Sequence, residues 1–482
     1  VPRGPSIIPD FERPIERLST SGTISPVARD SDIRSLEELP ARLAGEYGAH
    51  LAIMEQRLSD ALATQGFDGA VIFAGDEKIV FRDDRTYPFQ VEPYFKAWVP
   101  LTQAPGSFLR VAPGQRPMLV YKQVDDYWYE PPSDPEGYWT SYFDIRVVRT
   151  DGEARKLSGT GPRWVAIGET ADATKPRPPS VNDRRVLRHL DYFRAIKTRY
   201  EILCMRGAQT MAVRGHVAVA SQFRVGVSEL ELCQTYCGAA QQRETELPYA
   251  PIIGINEHAA TLHYQHLRAK APGMARSLLI DAGAQFNGYA ADVTRTHSAA
   301  KDDFAALIAS MEQLQQQVCG AVRAGIDFVE LDLFTHRLLG LVLRNHSITK
   351  CSAEDAVASG ITRAFLPHGL GHLLGLQVHD AGGRQVDPDG KLREPPEDRP
   401  YLRLTRVLEP GFVVTIEPGL YFIPALLKPL LEKQSDKLNL SIIERLIPLG
   451  GIRIEDDVEV TAEGIKNLTR EAFAAIPPAW RG

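Results

Sequence analysis

Cysteine is scarce in this chain: five in 482 residues, an odd number. That excludes a disulfide framework and points to a reducing compartment, here expected to be the cytoplasm. Apolar runs are short as well. None approaches the roughly 18 residues that a membrane-spanning helix needs, and the N-terminus carries no charged-then-apolar leader pattern. An excess of one charge is also missing, since the net charge is −6. Neither nucleic acid nor an anionic membrane is therefore expected as a general partner. No short-period repeat or low-complexity tract interrupts the chain. What is present is ordinary for a folded globular protein: 44% hydrophobic and 24% charged residues. The length exceeds one ordinary core, so two domains are expected, each able to bury its own.

Val1-Pro2-Arg3-Gly4 reads as a tag remnant, and the polar, proline-containing first 40 residues or so as a surface loop. Apolar positions at helical spacing over 41–65 predict a helix. Ala70–Phe73, Met118–Tyr121 and Trp164–Ile167 read as strands, so the first part of the chain is a small α/β unit. Two aromatic stretches, Tyr87 to Trp98 and Tyr127 to Phe143, are expected to pack a core or an interface, with a pocket wall as the alternative. The proline-rich run Thr174–Ser180 marks a domain boundary. A helical pattern follows over about 200–223, and two more over 302–323 and 328–345. Cys233 and Cys237, four apart on a predicted helix, lack evident ligand partners and read as structural thiols.

The residues that carry chemistry all lie after position 260. Asp281 and Asp292 flank a turn at Asn287-Gly288, a strong hairpin signal, so they should stand opposite or nearly opposite on antiparallel strands. Carboxylates about 5 Å apart across a ladder repel unless a cation or proton lies between them. The pair alone fits solvent-facing aspartates equally well. Three of the twelve histidines, His368, His372 and His379, fall in a glycine-rich frame of 12 residues. Glycine lets backbone approach a ligand closely, and histidine is both metal ligand and acid/base. Glu417 ends the apolar strand Phe412–Ile416 just before Pro418-Gly419, and a carboxylate there needs a partner. Arg453 and Glu455 are two apart on a predicted strand and share one face, as a surface ion pair also would. Together Asp281, Asp292, His372, Glu417 and Glu455 offer four carboxylates and one imidazole. That donor set suits two divalent cations, manganese first, with cobalt, zinc and iron also compatible. A single zinc would want more nitrogen or sulfur.

The order Asp, Asp, His, Glu, Glu, the His-Gly-Leu-Gly-His frame at 368–372, Glu417-Pro418-Gly419 and Arg453-Ile454-Glu455-Asp456 together resemble the pita-bread metallopeptidases over about residues 195–470. The group includes methionine aminopeptidase, aminopeptidase P and prolidase. Within it the chain is most similar to bacterial prolidases of the organophosphorus acid anhydrolase type. Asp83-Asp84-Arg85-Thr86-Tyr87-Pro88-Phe89, Asp125-Asp126-Tyr127-Trp128 and Leu420-Tyr421-Phe422-Ile423-Pro424 carry that likeness. The resemblance implies an α+β protein: a tag remnant at 1–4, a smaller α/β creatinase-type domain over 5–190, and a pita-bread domain over 191–482. The latter would hold a curved, mostly antiparallel sheet with outer helices.

The same resemblance implies hydrolysis of Xaa-Pro dipeptides by a homodimer, with organophosphorus hydrolysis as a side activity. Asp281, Asp292, His372, Glu417 and Glu455 would hold the metals, with Asp292 and Glu455 bridging. Glu417 would act as general base and then acid. His263, His379 and Arg453 would contact substrate, His368 would support the metal ligands, and Tyr249 would line the small pocket. Asp84 and Tyr87 would hold the substrate's free amine. The 37 residues between Glu417 and Glu455 include the helix-like Ala425–Glu432, expected to border the pocket or cover a surface. An aminopeptidase P acting on longer peptides is the alternative within enzymes. A peptide-binding protein with catalysis lost is disfavoured, because all five ligands are present.

Overall fold

Apolar residues recurring at helical spacing build the first element. Leu43, Tyr47, Leu51, Met54, Leu58 and Leu62 lie buried along one side of the helix Leu39–Gln65. The computed structural model describes residues 38–158, 161–169, 180–223 and 226–477. The tag-like residues, the N-terminal polar stretch up to 37 and the proline-rich run over 174–179 lie outside these.

That helix covers a six-stranded sheet of order β4-β3-β2-β1-β5-β6. Its strands are β1 (Gly69–Phe73), β2 (Phe108–Val111), β3 (Met118–Lys122), β4 (Asp144–Val148), β5 (Trp164–Ile167) and β6 (Ser180–Val181). Pairing is mixed: β1 runs parallel to β5 and antiparallel to β2. The strand β1 is buried at every position, which accounts for its unbroken apolar run Ala70–Phe73. The strands β2 and β4 were not expected. Both are short, and β4 is half exposed, so neither offers an apolar run to read.

The aromatic stretches divide. Phe95, Trp98, Trp139 and Phe143 are buried as expected, whereas Tyr127, Trp128 and Tyr129 are 87%, 75% and 70% exposed and pack no core of this chain. Their loop is rich in Asp, Glu and Pro, and the Tyr127 and Trp128 rings pack on each other, centroids 5.0 Å apart.

Asp183 starts the helix Arg184–Arg194 by accepting hydrogen bonds from the amides of Arg185 (2.9 Å) and Val186 (3.3 Å). Asp183→Ala is expected to lower unfolding stability by about 1 kcal/mol, read as a lower denaturant midpoint at unchanged slope. An unchanged midpoint would show that this cap contributes nothing.

The helices Arg199–Phe223, Glu229–Ala240, Asp303–Ala321 and Phe328–Asn345 then surround small antiparallel sheets. One sheet has the order β11-β8-β7, from β7 (Ile252–Ile255), β8 (Ser277–Asp281) and β11 (Thr294–Ser298). Between β8 and β11 lies the hairpin β9 (Gln285–Phe286) and β10 (Tyr289–Ala290). Another sheet has the order β12-β15-β16, from β12 (Val413–Ile416), β15 (Asp456–Val460) and β16 (Ile465–Asn467), and β13 (Gly419–Tyr421) pairs with β14 (Gly451–Arg453). The isolated bridge Thr294↔Glu455 joins the first of these sheets to the others. This antiparallel arrangement with outer helices, preceded by the mixed sheet, is the α+β architecture expected.

Two cores result. One lies within the second part, around Phe328, Phe365, Phe412 and Phe422. The other is shared: Tyr47, Ile72, Phe95 and Trp98 pack in one cluster with Tyr200, Tyr289, Leu374 and Val413. All five cysteines are free thiols. Among the described residues, no helix is long and apolar enough to cross a membrane.

Candidate metal centre

The hairpin between β8 and β11 turns at Asn287 and Gly288, whose φ values of 50° and 82° are those of a two-residue turn with left-handed central residues. The turn fixes the register. Asp281 pairs with Thr294, and the same ladder sets Asp292 opposite Gly283, a diagonal neighbour of Asp281. The offset by two residues arises because the turn centres on 287–288, one residue beyond the midpoint of the two aspartates. Both carboxylates point to one buried spot, where the Tyr249 hydroxyl lies 2.7 Å from Asp281 Oδ1 and 2.5 Å from Asp292 Oδ1. One phenolic proton thus faces two acceptors.

The other donors arrive on separate elements. His372 sits in the glycine frame, where a Cβ on Gly371 would stand 2.0 Å from the Thr415 carbonyl oxygen; only glycine lets this loop lie against β12. Its amide donates to Thr415 Oγ1 at 3.1 Å, and its Nδ1 lies 3.0 Å from the Leu373 carbonyl. An Nδ1–H held there leaves Nε2 as the free lone pair. That atom is 3.5 Å from Asp292 Oδ2 and 3.6 Å from Glu417 Oε1. Glu417 follows the last residue of β12 and is tied back by its amide to the Leu370 carbonyl at 2.9 Å. Glu455 receives Thr294 Oγ1–H at 2.6 Å. Asp292, His372 and Glu455, all buried, each offer an atom within 4.8 Å of the others.

Arg453, on β14 and 4% exposed, braces this cluster from behind. It donates from Nη2 to Asp281 Oδ2, from Nε to Thr294 Oγ1 (3.2 Å) and from Nη1 to the Tyr421 hydroxyl (2.8 Å). Tyr421 passes its own proton to His368 Nε2 at 2.8 Å, and His368 Nδ1 donates to the Gly369 carbonyl at 2.8 Å.

Burial raises the pKa of Asp281 against the pull of Arg453, lifts Glu417 to about 7, and lifts Glu455 well above the usual carboxylate range. Asp292 moves the other way. Burial opposes its charge, but the facing His372 outweighs that and leaves its pKa lowered. His372 is raised, its burial being outweighed by Asp292 and Glu417. Burial lowers His368 to about 3 and His379 to about 4, keeping both rings neutral near pH 7. Four carboxylates buried this closely require cations or protons. Oxygen-rich donors, one imidazole with a free Nε2 and no thiolate fit hard or borderline divalent ions.

The cluster opens into a cavity of about 640 Å³, lined also by His263, His368, His379 and Arg453. Tyr249 lies beneath the aspartates. Tyr87 and His379 line a second cavity, of about 550 Å³, against the N-terminal sheet. Asp84 is exposed and belongs to neither cavity within one copy of the chain. The segment between Glu417 and Glu455 does reach the site, since Ile423, Ala425 and Leu426 form part of the wall. Sequence reasoning gave no site role to Thr294, Tyr421, Arg384, Tyr401 or Arg403. Thr294 and Tyr421 adjoin the motifs, two residues after Asp292 and four after Glu417. The other three carry no local signal.

Fold and cavity together define a metal-dependent hydrolase with a paired-cation site. Residues 203–462 match metallopeptidase family M24, and residues 45–192 match the family described as "Xaa-Pro dipeptidase, N-terminal domain". The chain belongs to metallopeptidase family M24. It is 46% identical over 432 residues to an Xaa-Pro dipeptidase of Stenotrophomonas maltophilia, covering 89% of this chain and 97% of that one. A relative of the same description from Xanthomonas campestris is also 46% identical, with 89% and 98% covered. Among solved structures, zinc-substituted Escherichia coli aminopeptidase P in complex with product superimposes with a TM-score of 0.65 at 23% identity, covering 89% and 98%. Proline aminopeptidase P II from Yersinia pestis gives 0.65 at 23%, covering 90% and 99%. These two share the fold.

Proposed function

We propose that the chain hydrolyses the peptide bond before proline in Xaa-Pro dipeptides, as a cytoplasmic homodimer whose creatinase-type domain ends near residue 190. The observation that carries this reading is near-full-length similarity to Xaa-Pro dipeptidases, together with five convergent metal-type donors in one cavity. Asp281, Asp292, His372, Glu417 and Glu455 would hold two divalent cations, manganese by preference. Bound there, the pair would supply Lewis acidity and lower the pKa of water in the cavity.

The chain's own groups do the rest. Glu417, in the cavity wall, takes a proton and returns it to the departing proline nitrogen. His263 and His379 face the substrate from the cavity wall, and the neutral His379 donates or accepts without adding charge. Arg453 neutralises Asp281 and aligns Tyr421 and, through it, His368, and as one of the cavity-lining residues it stands near the substrate carboxylate. Tyr249, which lines neither cavity, holds the two aspartates together through its hydroxyl. Asp84 and Tyr87, from the partner subunit's N-terminal part, bind the free amine. Such a wall confines the site to dipeptides. Hydrolysis of organophosphorus esters is a side reaction of the same centre.

Initial rates on Ala-Pro and on a tripeptide that extends it, after manganese loading, test this. Cleavage of the dipeptide alone, abolished by a chelator and restored by metal, is the expected result. Cleavage of the tripeptide would assign an aminopeptidase P activity instead. Inertness toward both with metal bound would defeat the peptidase reading.

A further inference from the structure

Glu229 is the first residue of the helix Glu229–Ala240, a position where acidic side chains ordinarily reach into water beside the helix N-terminus. Here the capping is already done by Ser228 and Glu231, which bond each other's backbone amides. Glu229 instead turns inward and is 1% exposed. Its Oε1 accepts from the Ile255 amide at 2.9 Å and from His258 Nδ1 at 2.7 Å. Its Oε2 accepts from the Tyr264 hydroxyl at 2.7 Å and from the Arg268 amide at 2.9 Å. The Tyr264 hydroxyl also faces the His266 carbonyl at 2.8 Å, so that single proton is shared.

The four donors bracket one stretch of chain. Ile255 and His258 lie at its start, Tyr264 and Arg268 at its end. The His258 and Tyr264 rings stack across it, centroids 4.6 Å apart at 24°. Past a short 3₁₀ turn, Asn256–Ala260, this stretch has no ladder of its own to hold it. It carries Leu262 and His263 to the wall of the metal cavity. His263 is exposed into that space and directly precedes the anchored Tyr264. A loop with so little regular structure keeps one shape only if something fixes both ends.

We propose that Glu229 is a positioning residue, which clamps the 255–268 segment at both ends and thereby holds His263 over the metal cavity. It never touches substrate. Its role rests on the reading of His263 as a substrate contact.

In Glu229→Gln one oxygen becomes an N–H₂ donor facing two donors, so one end of the clamp opens while size is kept. Tyr264→Phe, whose ring stays buried, releases only the end next to His263 and serves where the first variant folds poorly. The test uses the full chain loaded with manganese, with kcat/KM on Ala-Pro and hydrogen exchange of 255–268. Each variant is expected to lower kcat/KM roughly ten- to a hundred-fold and to speed exchange in this segment, with exchange in β8 and β11 unchanged. Combining either with His263→Ala should cost nothing beyond His263→Ala alone, because the two act through one group. Losses that multiply, or exchange across 255–268 that stays as slow as in the unaltered protein, would overturn the proposal. Should His263→Ala itself leave turnover intact, the role given to His263 fails, and exchange alone then decides whether Glu229 is the clamp.

Discussion

Glu417→Gln is expected to reduce dipeptide hydrolysis at least about a thousand-fold, while making the metal-free protein more stable at neutral and alkaline pH. The first effect follows from the proposed roles of Glu417 as both metal donor and proton carrier, lost in one change. The second follows from burial. With its pKa lifted from 4.5 to about 7, Glu417 holds a proton in the folded state that the unfolded chain has already released. Between these values the folded state binds more protons, so raising pH through this window destabilises the metal-free protein. Above pH 7 the penalty is complete, on the order of 3 kcal/mol; below about 4.5 it is absent. Glutamine has no charge to bury. Urea unfolding of chelator-treated wild type and variant should therefore diverge from pH 5 to pH 8, with the variant ahead. Equal stability at pH 8 would mean that Glu417 bears no such burden. The same proton competes with metal, so the cation should bind more weakly as pH falls below 7 and should release protons when it binds.

Arg453→Met is the second large effect. The guanidinium is the buried cation beside Asp281 and bonds Thr294 and Tyr421 as well. Removing one member of a buried pair strands its partner, at about 3–5 kcal/mol. The metal-free variant should lose that much stability in denaturant melts. Manganese should then raise its midpoint more than it raises that of the wild type, because a cation at Asp281 replaces the missing charge. Equal gains in both proteins would show that Arg453 is not what neutralises Asp281. Activity should fall about a hundred-fold or more as Tyr421 and His368 lose their alignment. Arg453→Lys should recover stability better than rate, since an ammonium restores the charge without the fork that reaches three partners.

The elements legible in the sequence were those whose signal is local. The period of Leu39–Gln65, the unbroken apolar run of β1 and the Asn287-Gly288 turn each lie within one window of chain. The five residues that meet in one cavity, Asp281, Asp292, His372, Glu417 and Glu455, were legible because each sits in a short motif. What escaped depends on partners far away in the chain. The role of Thr294 exists only because Glu455 and Arg453 arrive some 160 residues later, and Tyr421 matters through Arg453 and His368. The diagonal offset of the aspartates was one residue finer than a midpoint argument resolves. Tyr127, Trp128 and Tyr129 misled because aromatic density alone does not say whether a loop bends toward the core or away from it.

The core that joins Tyr47 and Trp98 to Tyr200, Tyr289, Leu374 and Val413 has a mechanical meaning. Tyr289 belongs to the hairpin that presents both aspartates, and the Lys96 stem from the N-terminal part lies across its Gly288 tip, where a Cβ would meet it at 2.7 Å. The N-terminal part is therefore the foundation on which the aspartate arm rests, and a shear between the two parts would reach the reacting centre as a tilt of that arm.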